Sequence, residues 1–169
     1  RTPTMSLPFP APDAAAHSAR LAAALAGEIA AAGGWMSFAR FMELALYAPG
    51  LGYYAAGAAK FGAAGDFVTA PEMTPFFGRA LAGQAAAVMA ASAPAILEAG
   101  AGSGRLAADL LGELERRGTL PESYAILELS ADLRERQAAT LASAVPHLLP
   151  RVRWLDALPA QFSGLVLGN

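Results

Sequence analysis

The sequence has no cysteine and only two histidines among its 169 residues, so it lacks the side chains on which many protein sites are built. Without cysteine there is no disulfide framework, no thiolate nucleophile and no zinc ribbon. With only His17 and His147 present, a histidine-rich metal site is also disfavoured, and we expect no metal. The lack of cysteine fits an intracellular protein, and we expect a cytoplasmic location.

The net charge is small as well, because the chain has 12 Lys and Arg residues and 14 Asp and Glu residues, which give a formal charge of -2. Such a balance offers no basic surface to nucleic acid or to an acidic membrane. The longest alanine-rich stretch, LAAALAGEIAAAGGW, follows Arg20 and is interrupted by Glu28. It therefore falls short of the roughly 18 uncharged apolar residues of a spanning helix. We expect neither nucleic acid nor membrane as a partner, and no pattern indicates an oligomeric state.

The length predicts one domain or most of one, and the character of the sequence changes near residue 94. Residues 1–93 are predicted to form an N-terminal extension of helices joined by glycine-rich loops. Asp13 and Ser37 are candidate caps for two of these helices, and Thr74 followed by proline marks the start of a third. A buried face is predicted for the second helix at Phe38, Phe41, Met42, Ala45 and Leu46.

Residues 94–169 alternate short apolar runs with helical segments. The runs AILEAG, YAILEL, RVRWL and GLVLG read as strands, and helices are predicted at about 104–117 and 131–142. This β-α-β-α-β-β order indicates an α/β fold with a parallel sheet. Because the last run would leave a hydrophobic strand edge open, we expect the sheet to be C-terminally incomplete, the first half of a larger domain.

The most informative segment is ILEAGAGSGRL, in which Gly100, Gly102 and Gly104 join a buried strand to a helix. Glycines permit close approach of a ligand, and the helix start presents unpaired N–H groups. The nicotinamide fingerprint requires a further glycine where Arg105 stands, which disfavours a dehydrogenase. The remaining E-x-G-x-G-x-G pattern resembles motif I of class I S-adenosylmethionine methyltransferases. The resemblance implies that Glu98 supports the loop or the ammonium group of the cofactor, and a solvated strand end is the alternative for this acid.

Two further acids follow later strands of the predicted sheet. Glu128 ends the second strand, where a carboxylate can accept hydrogen bonds from both ribose hydroxyls, as acids at this place do in dinucleotide folds. Asp156 ends the third strand, where class I methyltransferases often place a side chain against the adenine amino group. An exposed strand end without a ligand is the alternative for either residue.

Five segments together resemble the MidA-like family, bacterial relatives of a mitochondrial complex I assembly-factor methyltransferase. They are SFARFMELALYAPGLGYY, KFGAAGDFVTAPEMTPFFG, ILEAGAGSGRLAADLL, YAILELS and RWLDALP, and the resemblance runs collinearly over residues 37–169. It implies a Rossmann-like class I fold, S-adenosyl-L-methionine as cofactor and a protein substrate in a bacterial cytoplasm. By analogy with the mitochondrial relatives, the resemblance implies an arginine side chain as substrate, with a complex I-type subunit as the candidate protein.

The string GDFVTAPE at residues 65–72 is the most family-specific part, and the resemblance implies that it lies near the cofactor and the substrate entrance. Its acids Asp66 and Glu72 are candidate catalytic residues, because carboxylates pair with the planar donors of a guanidinium. They could orient the acceptor nitrogen. Alternatively, Asp66 satisfies backbone groups of the loop, and Glu72 or Thr74 caps the following helix.

Two other functions remain open from the sequence. An assembly or scaffold protein could retain the fold and the cofactor loop without catalysis. A nicotinamide-dependent oxidoreductase is the other alternative, and Glu128 would suit its cofactor too.

Overall fold

The computed structural model describes residues 9–56 and 68–168. The chain divides after Ala56 into two compact units. The first unit contains helices α1 (Pro12–Ala31) and α2 (Phe38–Tyr47).

Helix α1 begins with Pro12, a residue whose fixed φ angle suits the first helical turn. The prediction that Asp13 caps this helix is wrong, since Ala11 holds the cap position and no side chain bonds to it. Asp13 instead lies in the first turn, where its charge complements the helix dipole. In the described parts of the chain, no helix combines the length and the apolar character needed to cross a membrane.

Helix α2 is capped as predicted, because the backbone N–H of Arg40 donates to Ser37 Oγ at 3.2 Å. Its predicted buried face is wrong, because no residue of α2 is buried, and Phe38 and Phe41 are 75% and 39% exposed. Two helices can cover only a narrow stripe of each other. The two rings instead stack on one another, with their centroids 6.2 Å apart.

The second unit contains a parallel sheet and its helices. Before the sheet come α3 (Ala70–Met73) and α4 (Phe76–Ala91). The sheet segment comprises β1 (Ala95–Ala99), α5 (Arg105–Arg116), β2 (Ser123–Leu127), α6 (Ala131–Ala144), a 3₁₀ helix (Pro146–Arg151), β3 (Val152–Leu155) and β4 (Leu165–Gly168). The predicted order of strands and long helices is confirmed.

All three strand pairings are parallel, in the order β3-β2-β1-β4. This is the α/β arrangement predicted from the sequence. One face of the sheet, with Ile96, Tyr124 and Ile126, packs in a core that α4 and α5 also line. Since the strands are parallel, the segments that follow β1, β2 and β3 meet at one edge of the sheet.

Helices α4 and α5 pack closely because α4 presents small side chains. Gly78, Ala82 and Ala85 are buried along one face of α4. A β-carbon at Gly78 would lie 2.9 Å from the Cβ of Asp109 on α5, so only glycine fits there. The boundary predicted from the sequence lies between residues 93 and 94 and would separate α4 from the sheet. In the structure, α4 belongs to the same compact unit as the sheet.

Candidate functional site

The segment between β1 and α5 is a tight turn of three left-handed glycines. Gly100, Gly102 and Gly104 have φ angles of +69°, +55° and +82°. Side chains other than hydrogen are disfavoured in this region, which explains the glycine at every second position. The backbone N–H of Arg105 donates to Ser103 Oγ at 3.3 Å, so the serine satisfies one N–H at the start of α5.

The two ends of this glycine loop differ in their surroundings. A β-carbon built on Gly100 would meet no atom of the described residues within 4 Å. A β-carbon on Gly104 would lie 2.9 Å from the Cα of Gln137, so α6 packs directly against the end of the loop that leads into α5. The loop is therefore fixed at its helix end and open at its strand end.

The acid after β2 is buried and held from two sides. Glu128 is 5% exposed. Its Oε1 accepts a hydrogen bond from the backbone N–H of Ser130 at 3.0 Å, and its Oε2 accepts one from Gln137 Nε2 at 3.1 Å. Two donors in fixed positions set the plane of the carboxylate. These bonds take two of the roughly four acceptor positions of the group.

Gln137, which the sequence analysis did not single out, connects the loop to this acid. Its Nε2 also donates to the backbone oxygen of Gly102 at 3.1 Å, and its Oε1 accepts from Trp154 Nε1 at 2.8 Å. The side chain is completely buried. A signal was present in the sequence, because Gln137 stands between Leu133 and Leu141 at four-residue spacing on the buried stripe of α6.

The acid after β3 is largely exposed and pairs with an arginine on α6. Asp156 Oδ1 lies 2.6 Å from an Nη atom of Arg134, and the aspartate side chain is 90% exposed. Arg134 also donates to the backbone oxygens of Glu128 at 2.7 Å and Leu155 at 2.9 Å. Arg134 thus joins the ends of β2 and β3, a role that the sequence analysis missed.

Glu98 points into the core that α4 and α5 line. It is 2% exposed, and its Oε2 accepts a hydrogen bond from the Tyr124 hydroxyl at 2.8 Å. Burial raises the pKa of the Glu98 carboxyl to about 7, against the lowering effect of the tyrosine hydrogen bond. The hydrogen bond of the Glu98 side chain is thus made to Tyr124 on the neighbouring strand β2.

The raised pKa predicts how stability depends on pH. The folded protein binds a proton at Glu98 up to about pH 7, whereas the unfolded chain releases it near pH 4.5. The free energy of unfolding should therefore fall by up to about 3 kcal/mol as the pH rises from 4.5 to 7 and beyond. Urea unfolding at pH 5 and pH 8 measures this fall, which Glu98→Gln should largely remove. Equal falls in wild type and variant would contradict the assignment.

Of the two candidate catalytic acids, Asp66 lies outside the described residues. Glu72 lies in α3, where its carboxylate accepts a hydrogen bond from the hydroxyl of Ser103. The glycine loop and Glu72 are therefore in contact. The alternative that Glu72 caps the next helix is not observed, since Thr74 Oγ1 accepts from the backbone N–H of Phe76 at 3.3 Å.

A parallel sheet with a glycine loop after its first strand, an acid after the second and an N-terminal helical segment is the architecture of class I S-adenosylmethionine-dependent methyltransferases. Residues 79–169 match the family Methyltransf_28, described as S-adenosyl-L-methionine-dependent methyltransferases. These residues are more than half of the chain. The chain belongs to this family.

Two solved structures from Burkholderia thailandensis are similar to the chain. One, of a COG1565 superfamily member bound to S-adenosyl-homocysteine, has a TM-score of 0.83 and 53% identity, covering 96% of the chain and 43% of that protein. The other, a native structure of a COG1565 superfamily protein, has a TM-score of 0.78 and 51% identity, with coverages of 96% and 41%.

Two curated relatives are named as mitochondrial protein arginine methyltransferase NDUFAF7. The protein from Danio rerio is 37% identical over 125 residues, which are 69% of the chain and 29% of the relative. The protein from Mus musculus is 36% identical over 117 residues, which are 64% of the chain and 27% of the relative. The chain thus spans less than a third of the length of these relatives.

Proposed function

We propose that the complete protein transfers a methyl group from S-adenosyl-L-methionine to a nitrogen of an arginine side chain on another protein. The observation that carries the proposal is the glycine loop held beside a buried carboxylate: Gly102 and Glu128 accept hydrogen bonds from the same amide of Gln137. Family membership and the S-adenosyl-homocysteine of the bacterial neighbour support the cofactor. The names of the mitochondrial relatives support arginine as acceptor.

The residues at the sheet edge fit this cofactor. The open side of Gly100 leaves room for a ligand against the backbone, and the loop would hold the methionine end. Glu128 retains acceptor positions for the two ribose hydroxyls. Asp156 would contact the adenine amino group, and Glu98, in β1 just before the loop, would support the loop or the ammonium group. These roles are proposals for each residue.

The bound cofactor supplies an electrophilic methyl group on a positively charged sulfur. The acceptor nitrogen forms the new bond to that carbon while the carbon–sulfur bond breaks, its electron pair stays on sulfur, and the nitrogen then releases one proton. The protein therefore has to align the nitrogen with the methyl group and exclude water. Glu72, in contact with the glycine loop through Ser103, is placed to orient a guanidinium, together with Asp66.

We place the protein in a bacterial cytoplasm, on its cysteine-free sequence and its bacterial structural neighbours. A complex I-type subunit is the proposed acceptor protein. This choice follows the resemblance of the sequence to the bacterial relatives of a complex I assembly factor.

The direct test incubates the complete protein with methyl-labelled S-adenosylmethionine and a complex I-type subunit. We expect label on arginine, and S-adenosylhomocysteine should raise the melting temperature by mass action. Partner binding without transferred label would favour the scaffold alternative. A rise in melting temperature with NADH but not with S-adenosylhomocysteine would favour the oxidoreductase.

Replacement of Glu72 tests the orienting role. Glu72→Gln keeps an acceptor for the Ser103 hydroxyl but removes the charge, so the rate of methyl transfer should fall about tenfold to a hundredfold. The affinity for S-adenosylhomocysteine should stay unchanged in calorimetry. Glu135→Gln, an exposed acid on α6, serves as the control with the same charge change. An unchanged rate in the Glu72 variant would exclude this role.

A further inference from the structure

We infer that Gln137 is a positioning residue that makes the conformation of the glycine loop and the orientation of the Glu128 carboxylate depend on each other. The effect of this coupling on cofactor binding rests on the proposed function. Its structural basis is one side chain, completely buried on α6, that bonds to three separate segments.

The chemistry of the three partners fixes which way the amide faces. The indole Nε1 of Trp154 can only donate, so it requires the carbonyl oxygen of Gln137. The backbone oxygen of Gly102 and the carboxylate oxygen of Glu128 accept, so they require the amide nitrogen. A flipped amide would oppose donor to donor at Trp154 and acceptor to acceptor at the other two contacts. Only one orientation satisfies all of them.

Both hydrogens of the amide nitrogen are used, one toward the loop and one toward the acid. The distances from Nε2 are 3.1 Å to the oxygen of Gly102 and 3.1 Å to Oε2 of Glu128. A shift of the loop therefore moves the amide, and the amide then moves the carboxylate. Because buried polar groups lose free energy when a partner is removed, the three-way contact resists such shifts.

The backbone of α6 adds a second restraint at the same place. The Cα of Gln137 lies where a β-carbon on Gly104 would approach it to 2.9 Å. The helix thus touches the loop through its backbone at Gly104 and through its amide at Gly102. The loop and the proposed ribose-binding acid share one support, so Gln137 prearranges the methionine and ribose parts of the cofactor site before a ligand binds.

Three variants of the complete protein separate this role from general stability. Gln137→Met removes every polar contact of the side chain, and Gln137→Asn keeps a buried amide that is too short to reach both acceptors. Trp154→Phe removes the hydrogen bond that Gln137 Oε1 accepts and leaves in place both hydrogen bonds that Gln137 Nε2 donates. Gln84→Met, at an exposed position on α4, is the control.

We expect Gln137→Met and Gln137→Asn to weaken S-adenosylhomocysteine binding about tenfold to a hundredfold in calorimetry. Trp154→Phe should weaken it by less than about threefold, because the hydrogen bonds from Gln137 to Gly102 and Glu128 remain. Without ligand, both Gln137 variants should speed amide hydrogen exchange at residues 100–104, and Gln84→Met should not. Should Gln137→Met fail to fold, the asparagine variant supplies both measurements.

A double-mutant cycle distinguishes positioning from lost stability. In a Glu128→Ala background, the loss of affinity caused by Gln137→Met should be smaller than in wild type, because one of the two positioned groups is already absent. An equal loss in both backgrounds, or unchanged affinity and unchanged exchange in folded Gln137 variants, would overturn the inference. If wild type binds no S-adenosylhomocysteine but the loop still exchanges faster in the variants, the proposed function fails and the positioning role stands.

Discussion

Replacing Gly104 by alanine is expected to lower the free energy of unfolding by about 2–5 kcal/mol. Two costs add at this position. The φ angle of +82° is unfavourable for any residue with a β-carbon, and that carbon would lie 2.9 Å from the Cα of Gln137. Backbone cannot move aside as a flexible side chain can, so α6 or the loop has to shift.

Gly118 provides the matched control for this change. Its φ angle is +68°, but within residues 9–56 and 68–168 a β-carbon there would meet no atom closer than 4 Å. Gly118→Ala should therefore show the conformational cost alone, about 1–2 kcal/mol. Urea unfolding of both variants measures the difference. Equal losses would mean that α6 does not restrain the loop at Gly104.

Removal of the Glu128 side chain should have the largest effect on cofactor binding. Two hydrogen bonds from ribose hydroxyls to a buried carboxylate would be lost, and bonds to a charged group contribute about 1.5–3 kcal/mol each. Glu128→Ala should therefore raise the Kd for S-adenosylhomocysteine by a hundredfold or more. Isothermal titration calorimetry measures this increase, and the melting temperature confirms that the variant folds.

Two controls make this result specific. Glu122→Ala removes the same charge from an exposed position just before β2 and should leave the Kd unchanged. An analogue of S-adenosylhomocysteine that lacks both ribose hydroxyls should bind wild type and Glu128→Ala equally. If the variant loses as much affinity for this analogue as for S-adenosylhomocysteine, Glu128 does not act through the ribose.

The strand and helix order of the second unit could be predicted because its signals are local. Each signal can be read from a few neighbouring residues: the apolar runs, the glycines at every second position after β1, and Gly118 after α5, whose φ is left-handed. The placement of Glu128 after β2 followed from the same pattern. In a parallel sheet, the residues that follow the strands lie at one edge, so their proximity could be predicted from the strand order alone.

The contacts of the site could not be predicted in the same way. Gln137 is nine residues from Glu128 and 35 from Gly102 along the chain, so its three bonds depend on how α6 packs. Arg134 reaches the ends of two strands for the same reason. The exposure of Phe38 also depends on tertiary structure, because periodicity gives the face of a helix but not what covers it.

The narrow spacing of α4 and α5 means that positions remote from the sheet edge influence it. Gly78, Ala82 and Ala85 let the two helix axes approach, and the first turn of α5 follows directly from the glycine loop. A bulkier residue on this side of α4 would push α5 outward and carry the end of the loop with it. The small residues on this face of α4 thus set the distance between the two helices, and substitutions that enlarge them would risk distorting the glycine loop.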